Sequence, residues 1–381
     1  MSKVYATYNN IISSLGFTSS EVVANIHQQK SGLRLIDNSE IFSQPFYSSL
    51  IPGKKLNKVY SSIATKEKHT RLEQMMITSL NAIIKDSALS ITNEVGLIIA
   101  TTKGNIDVLE DKSSFPKKRA YLSELAKQVA NYFGFITEPI VVSNACVSGI
   151  LAIAIAKRYI EQGVYKHVFV VGADLVTEFI LSGFNSFQAM SNKPCKPYCK
   201  NREGINIGEV AASVLITSDE KYLNEEAVEI LGEGSCNDAN HISGPSRTGE
   251  GLYRSIASAL QQANINASEI DYISAHGTAT NYNDEMEAIA FNRHQLSKVP
   301  LNSLKGYFGH TLGASGLLET IVGMHSLKNN MLYASLGFEE LGVSEPINVI
   351  KETTPKQLTA FLKTASGFGG CNTAVLFKKV K

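Results

Sequence analysis

The stretch VVSNACVSGILAIAIAKRYI, residues 141–160, joins a β-branched run to a run of helix formers through a turn of small and polar residues. Val141 and Val142 favour an extended chain, and from Gly149 onward apolar residues fill every helical face, as in a buried helix. Ala145, Ser148 and Gly149 permit the sharp change of direction between them. A strand that feeds straight into a helix is the building unit of an α/β fold. The same unit recurs outward from this point. VGLIIA (95–100), PIVVS (139–143), HVFVVGA (167–173) and AASVLIT (211–217) have the length and continuous apolarity of strands covered on both faces. Between them TRLEQMMITSLNAIIKDSA (70–88), YLSELAKQVANYF (121–133) and GILAIAIAKRYIEQG (149–163) read as helices.

The pattern is interrupted by the polar, glycine-rich GEGSCNDANHISGPSRTGEG (232–251) and then starts again. LYRSIASALQQANI (252–265) predicts a helix, IDYISAHG (270–277) a strand running into a loop, and GASGLLETIVGMHSL (313–327) a helix. LTAFLKTASGFGG (358–370) and CNTAVLFKK (371–379) predict a terminal strand pair. The chain therefore divides into two similar α/β halves, residues 1–240 and 241–381, and no short repeat underlies either.

Composition narrows the function class. A chain of 381 residues with 44% hydrophobic and 19% charged residues buries a large core. Its 36 basic and 35 acidic residues nearly cancel, which points away from nucleic acid as a partner. The start, MSKVYATYNNIISSLGF, lacks the pattern of a secretory signal, and the longest apolar run, near Gly149 to Ala156, falls far short of the ~18 residues that span a bilayer. A cytoplasmic protein with no membrane insertion is expected. Five cysteines at 146, 195, 199, 236 and 371 are too scattered for a disulfide framework and suit a reducing compartment. Cys195 and Cys199 have no second ligand pair, so no metal site is expected.

Cys146 admits two readings. At the start of a helix, unpaired amides and the macrodipole favour a thiolate nucleophile, whereas a cysteine amid apolar neighbours is commonly a packing residue. Two histidines bear on the choice, His276 in YISAHGTATNYND and His310 in LKGYFGHTLGASG. Both lie in loops after strand-like runs, where α/β ligands gather. Cys146, His276 and His310 form a set suited to acyl-thioester chemistry. The glycines of KTASGFGGCN (363–372) let backbone amides approach a ligand closely and complete an oxyanion hole.

With SNACVSG, SAHGTATNYND, KGYFGHTLGASG and SGFGGCN in this order, the sequence resembles the β-ketoacyl-acyl carrier protein synthases, the elongating condensing enzymes of the thiolase superfamily. KPYCKNREGINIGE (196–209) and the N-terminal SSLG extend the match over nearly the whole chain. The resemblance implies a thiolase-like fold, two α/β halves in an α-β-α-β-α layering. It implies that Cys146 carries the acyl chain and that His276 and His310 stabilise the enolate left by decarboxylation of a malonyl thioester. It further implies backbone amides of Cys146 and Phe368 as the oxyanion hole, a buried Lys305 with Glu287 as its acidic partner, and Thr278 and Thr280 against the phosphopantetheine arm. Phe368 would gate the acyl pocket. No resident cofactor is implied, because both substrates ride on acyl carrier protein. Lys66, Lys68 and Arg71 form a basic cluster where the family receives that acidic partner, and a homodimer or a heterodimer with a related subunit is expected.

Neighbouring classes fit less well. Chain-initiating members use Cys/His/Asn, thiolases a second cysteine within the C-terminal glycine motif, and the noncatalytic chain-length factors lack the nucleophile. A decarboxylase or acyltransferase that condenses poorly is a further alternative. Departures from the family pattern include Lys196-Pro197-Tyr198-Cys199 in place of Arg-Pro-Phe-Asp, and Ser366 in place of an aromatic residue before the glycine turn. They suggest a divergent branch serving polyene or other polyketide-like products.

Overall fold

The computed structural model describes residues 3–239 and 244–380, so the expected boundary between residues 240 and 241 lies outside the described residues. The first half opens with β1 (Tyr5–Ile12) and α1 (Ser19–His27). β2 (Arg34–Ile36), β3 (Phe46–Ser49) and α2 (Gly53–Ser61) lead to the long α3 (Arg71–Ser87). That helix starts on a capping box, in which the Glu73 amide donates to Thr70 Oγ1 and the Thr70 amide to the Glu73 carboxylate. Next come β4 (Val95–Ala100), α4 (Leu122–Phe133), β5 (Ile140–Val142) and α5 (Ser148–Glu161). β6 (His167–Asp174), α6 (Glu178–Ser186), β7 (Ile207–Gly208) and β8 (Val210–Thr217) complete this half.

The second half runs β9 (Val228–Asn237), α7 (Glu250–Ala263), β10 (Tyr272–Ser274), α8 (Asn281–Arg293), β11 (Pro300–Asn302) and the single turn α9 (Lys305–Phe308). The buried α10 (Ser315–Asn329) follows, then the two-residue strands β12 (Met331–Leu332), β13 (Asn348–Val349) and β14 (Thr354–Pro355). β15 (Ala360–Gly367) and β16 (Cys371–Lys379) close the chain as the antiparallel pair expected from the sequence.

Eleven strands join in the order β13-β11-β10-β15-β16-β9-β1-β8-β6-β4-β5. The seam between β9 and β1 is two residue pairs long, Tyr5 with Glu229 and Ala6 with Val228, so the ribbon folds as two sheets hinged at that seam. α5 and α10 fill the space between them, each touching strands of both halves. α3 and α4 cover the outer face of the first sheet, and α7, flanked by α8, covers that of the second. The layering is α-β-α-β-α, as expected. At its centre the helices approach backbone to backbone. A Cβ on Gly149 would stand 2.7 Å from the Gly313 carbonyl oxygen, and one on Gly316 would stand 2.8 Å from the Ile150 amide. This contact fixes where α5 begins, and with it the Cys146 turn.

One predicted segment differs. The glycine-rich run read as an interruption begins inside β9, where Gly232 to Asn237 pair with β16. Its glycines serve packing rather than flexibility. A Cβ on Gly232 would lie 2.3 Å from the Ala259 carbonyl oxygen, and one on Gly234 2.2 Å from that of Ser255, both on α7.

Candidate active site

Cys146 sits on the turn between β5 and α5, two residues ahead of the helix. The turn is tight. Ala145 adopts φ +43°, a strained value for a residue with a Cβ. The Ser148 hydroxyl clasps the turn, accepting from the Asn144 amide at 2.8 Å and donating to the Ala145 carbonyl at 2.7 Å. Against it lies the turn between β15 and β16. Gly367 must lack a side chain there, since a Cβ would stand 3.0 Å from the Cys146 nitrogen and 2.9 Å from Cys371 Sγ. Gly369 and Gly370, at φ +84° and +77°, bend the chain so that the Phe368 amide faces the Cys146 thiol.

The thiol is not the preformed thiolate that its place before a helix suggests. Burial pushes Cys146 up to about 12, with Cys371 adding to the rise, while Lys305 and the Phe368 amide pull the other way. Burial wins because the sulfur is almost wholly removed from water. The resting group is S–H, and its partner is 2.9 Å away at His310 Nε2.

His310 is itself held neutral, lowered well below the ordinary imidazole range by burial and by Lys305 and Lys363. Its Nδ1 meets Ser315 Oγ at 3.0 Å, and that hydroxyl also lies 3.0 Å from Thr311 Oγ1 and accepts from the Thr311 amide. Because both hydroxyls rotate, Nδ1 finds a partner as donor or as acceptor, and Nε2 is free to take a proton or to present one. His276 stands edge-on to His310, ring centroids 5.2 Å apart. Burial, Lys305, His310 and Lys363 also hold it neutral. The Lys305 ammonium reaches His276 Nδ1 at 3.4 Å, a long contact that assigns the hydrogen to the other ring nitrogen.

Lys305 departs from the expectation in its partner. It is fully buried and pairs with Glu319 on α10, Nζ to Oε1 2.8 Å, rather than with Glu287. Glu287 instead accepts the backbone amides of His276 at 2.9 Å and Gly277 at 2.7 Å, together with the Tyr198 hydroxyl at 2.9 Å. It supports the histidine loop and not the lysine. The second oxygen of Glu319 binds another buried lysine, Lys363 of β15, at 2.6 Å. Neither Glu319 nor Lys363 was singled out in the sequence: Glu319 lies within the apolar run of a helix, and Lys363 opens KTASGFGGCN, a stretch read for its glycines alone.

These groups open into a cavity of about 360 Å³ lined by Cys146, His276, His310, Thr278, Thr280 and Phe368 among others. Thr278 and Thr280 share a hydroxyl–hydroxyl contact of 2.7 Å on its wall. Phe368 is partly exposed, stacking on Phe184 at 5.5 Å and meeting Phe187 edge-on at 5.3 Å, so it stands at the mouth and not in the core. Ser366, in the place of an aromatic, donates to Asn372 Oδ1 at 2.7 Å and lines the same cavity.

The basic cluster comes apart. Lys66 and Lys68 are exposed in the loop before α3, but Arg71 is bound to Glu209 at 2.6 Å. Cys195 and Cys199 also have separate partners, the Lys305 carbonyl and the Asn201 side chain. Ligand atoms of Cys146, His276 and His310 lie within 4.8 Å of one another, close enough for a thiophilic ion to bridge, though a thiol–imidazole hydrogen bond uses that geometry here. Among the described residues no helix is long and apolar enough to cross a membrane.

Comparison with known proteins shows the family and the fold. Residues 14–221 match the family described as Beta-ketoacyl synthase, N-terminal domain, and residues 227–339 match Beta-ketoacyl synthase, C-terminal domain. The chain is 27% identical to a putative mitochondrial 3-oxoacyl-[acyl-carrier-protein] synthase of Schizosaccharomyces pombe over 347 residues, 80% of each chain. It is 32% identical to the 3-oxoacyl-[acyl-carrier-protein] synthase 2 of Rhizobium meliloti over 253 residues, 62% of this chain and 60% of the other. Among solved structures, the ishigamide ketosynthase/chain length factor superposes with a TM-score of 0.90 at 24% identity, covering all of both chains. A ketosynthase in complex with its chain length factor from Xenorhabdus doucetiae superposes with a TM-score of 0.87 at 24% identity, covering 100% of this chain and 98% of that one. At such identities the structural likeness speaks for the fold.

Proposed function

The chain belongs to the β-ketoacyl synthase family, and on that premise we propose that it condenses an acyl group held on Cys146 with a malonyl group on acyl carrier protein, releasing CO₂. The reading is carried by one observation, a thiol hydrogen-bonded to a neutral imidazole at 2.9 Å beneath a second imidazole. In the first half-reaction His310 Nε2 takes the Cys146 proton as sulfur attacks the acyl thioester. The amides of Cys146 and Phe368 hold the developing oxyanion, and the departing pantetheine thiolate recovers the proton.

Malonyl carrier protein then places its arm along Thr278 and Thr280. The C–C bond to the carboxylate breaks, its electron pair passes into the thioester enolate, and CO₂ leaves. His276 and His310 donate N–H to the enolate oxygen. The carbanion attacks the Cys146 thioester carbonyl, a C–C bond forms, the C–S bond to Cys146 breaks, and the released thiolate takes from water the one proton that the overall reaction consumes. The product is a β-ketoacyl group on the carrier, two carbons longer, for fatty-acid or polyketide-type assembly. The chain itself needs no resident cofactor for these steps.

Carrier docking near Lys66 and Lys68 is part of the reading, as is pairing with a second synthase subunit, identical or related. β5 ends the sheet with one side unpaired among the described residues, which supports that pairing. Five free thiols suit the cytoplasm. The test is intact-protein mass of the wild type and Cys146→Ala after incubation with a panel of acyl carrier proteins, followed by a malonyl carrier protein chase. Acyl mass on the wild type alone, discharged into a two-carbon-longer β-keto product, is expected. Acylation of Cys146→Ala would sink the assignment, and no acylation of the wild type by any donor would favour a chain-length-factor role.

A further inference from the structure

We propose that Lys363 is a positioning residue for the condensation: it fixes Lys305, and through it the orientation of His276, by occupying the second oxygen of Glu319. The inference rests on the function proposed above. Lys363 is completely buried on β15, away from the reacting atoms, in the middle of a strand where only an apolar or small residue is expected. Its ammonium donates to the Thr364 carbonyl at 2.6 Å and to the Ser274 and Ala275 carbonyls at 3.1 and 3.4 Å, and it lies 2.6 Å from Glu319 Oε2 as an ion pair. Lys305 takes Glu319 Oε1 at 2.8 Å and the His276 carbonyl at 2.6 Å. Three successive carbonyls ahead of and at the catalytic histidine are thus held by two ammonium groups joined through one carboxylate.

The arrangement leaves Lys305 a single remaining proton, which it directs to His276 Nδ1. Without Lys363, the freed oxygen of Glu319 would draw the Lys305 ammonium into a two-pronged pair and away from His276. The charges also balance. Lys305 and Lys363 face Glu319 from α10 and Glu287 from α8, the latter across the Thr364 hydroxyl at 3.4 Å from Glu287 Oε1. Around the two histidines stand also Cys146 from the α5 turn with Cys371 and Asp174 beside it, Cys195 on the Lys305 carbonyl, the Tyr198 hydroxyl on Glu287, and Asp284 with Arg202. Replacing Lys363 with an apolar residue would leave a net negative charge beside His276 and His310 and favour their protonation.

The experiment uses the full-length protein with acyl and malonyl carrier proteins and measures the two half-reactions separately against pH. Lys363→Met should lower malonyl decarboxylation about tenfold, the order of one misdirected hydrogen bond, while acyl transfer to Cys146 stays within about threefold. The acid limb of the decarboxylation profile should move to higher pH, because neutral imidazoles are required and a nearby cation has been removed. Lys363→Arg keeps the charge and should bring rate and limb back toward the wild type. Should Lys363→Met fail to fold, Lys363→Gln gives the same reading. Wild-type decarboxylation in the uncharged variant would overturn the proposal, as would an equal loss in both half-reactions that arginine does not rescue. Histidine side-chain NMR distinguishes this failure from failure of the condensing reading. Even in a wild type that neither acylates nor decarboxylates, the His276 and His310 imidazoles should protonate at lower pH than in the variant, and identical titrations would discard the role of Lys363.

Discussion

At Glu319 a single side chain decides how two buried cations are tolerated. Removing one partner from a buried ion pair leaves an uncompensated charge, at a cost of about 3–5 kcal/mol. Glu319→Ala should therefore lower urea stability by at least that much and abolish decarboxylation, since both Lys305 and Lys363 lose their counter-ion. Glu287→Ala should act differently. It strips acceptors from the His276 and Gly277 amides, each worth about 1–3 kcal/mol when orphaned, yet leaves the Lys305–Glu319 pair intact. Equal effects of the two substitutions, by denaturation and by CO₂ release, would contradict this division of labour. The sequence resemblance offered Glu287 as the partner of Lys305, and the reason for the error is physical. Both acids lie on helices bordering the site, and only the direction each helix faces decides which one meets the ammonium. Cys146, His276 and His310 were legible because each stood in a loop whose small residues had no other purpose. Lys363 was not, since one lysine in an apolar strand reads as a solvated edge until the strand proves to be central.

At the scale of elements, the strand–turn–helix order was legible for β4 to β6 and β8 with α3 to α5, and for α7, β10, α10, β15 and β16, whereas β1 to β3, α1, α2, α6 and α8 were not read. β4 covers the predicted VGLIIA, and α3 and α4 end within one residue of their predicted limits, because continuous apolar runs and three-four spacing encode burial directly. What the pattern hid was contact between elements. β9 was obscured because Gly232 and Gly234 look like linker residues, whereas they are glycine to admit the backbone of α7. The same logic governs the helix pair between the sheets. Gly149 and Gly316 bring α5 and α10 into backbone contact, and no side chain can move aside to admit a methyl group there. Gly149→Ala should cost about 1–3 kcal/mol by overpacking, and should slow acylation of Cys146 because the start of α5 carries the turn beneath the thiol. A thermal melt paired with the acyl-mass assay checks it. Unchanged stability would mean that the helices separate without strain, and lost stability with normal acylation would uncouple the turn from the helix pair.

Across the whole molecule, the near-zero net charge says little about pH dependence, because most of the imidazoles are buried. Six imidazoles, those of His69, His167, His276, His294, His310 and His325, are lowered by burial. A lowered imidazole means that the unfolded chain binds a proton the folded chain refuses. The stability it confers is present above the unfolded value near 6.5 and is lost as pH falls below it. Three carboxyls work in the opposite sense. Burial raises Asp107 and Asp174, and pushes Asp284 up to about 7. Each takes up a proton in the folded state first, and so stabilises the fold as pH falls from 7 toward the ordinary carboxylate range. The lowered imidazoles outnumber the raised carboxyls, so the balance of these shifts favours the unfolded chain in acid. Urea midpoints should therefore drop between pH 7.5 and 5.5. The drop should shrink in His294→Gln, a site remote from the thiol whose imidazole accepts no role in catalysis but stacks on Tyr253 at 4.2 Å. A midpoint that holds or rises on acidification would show that the buried carboxyls, and not the imidazoles, control the stability of the fold.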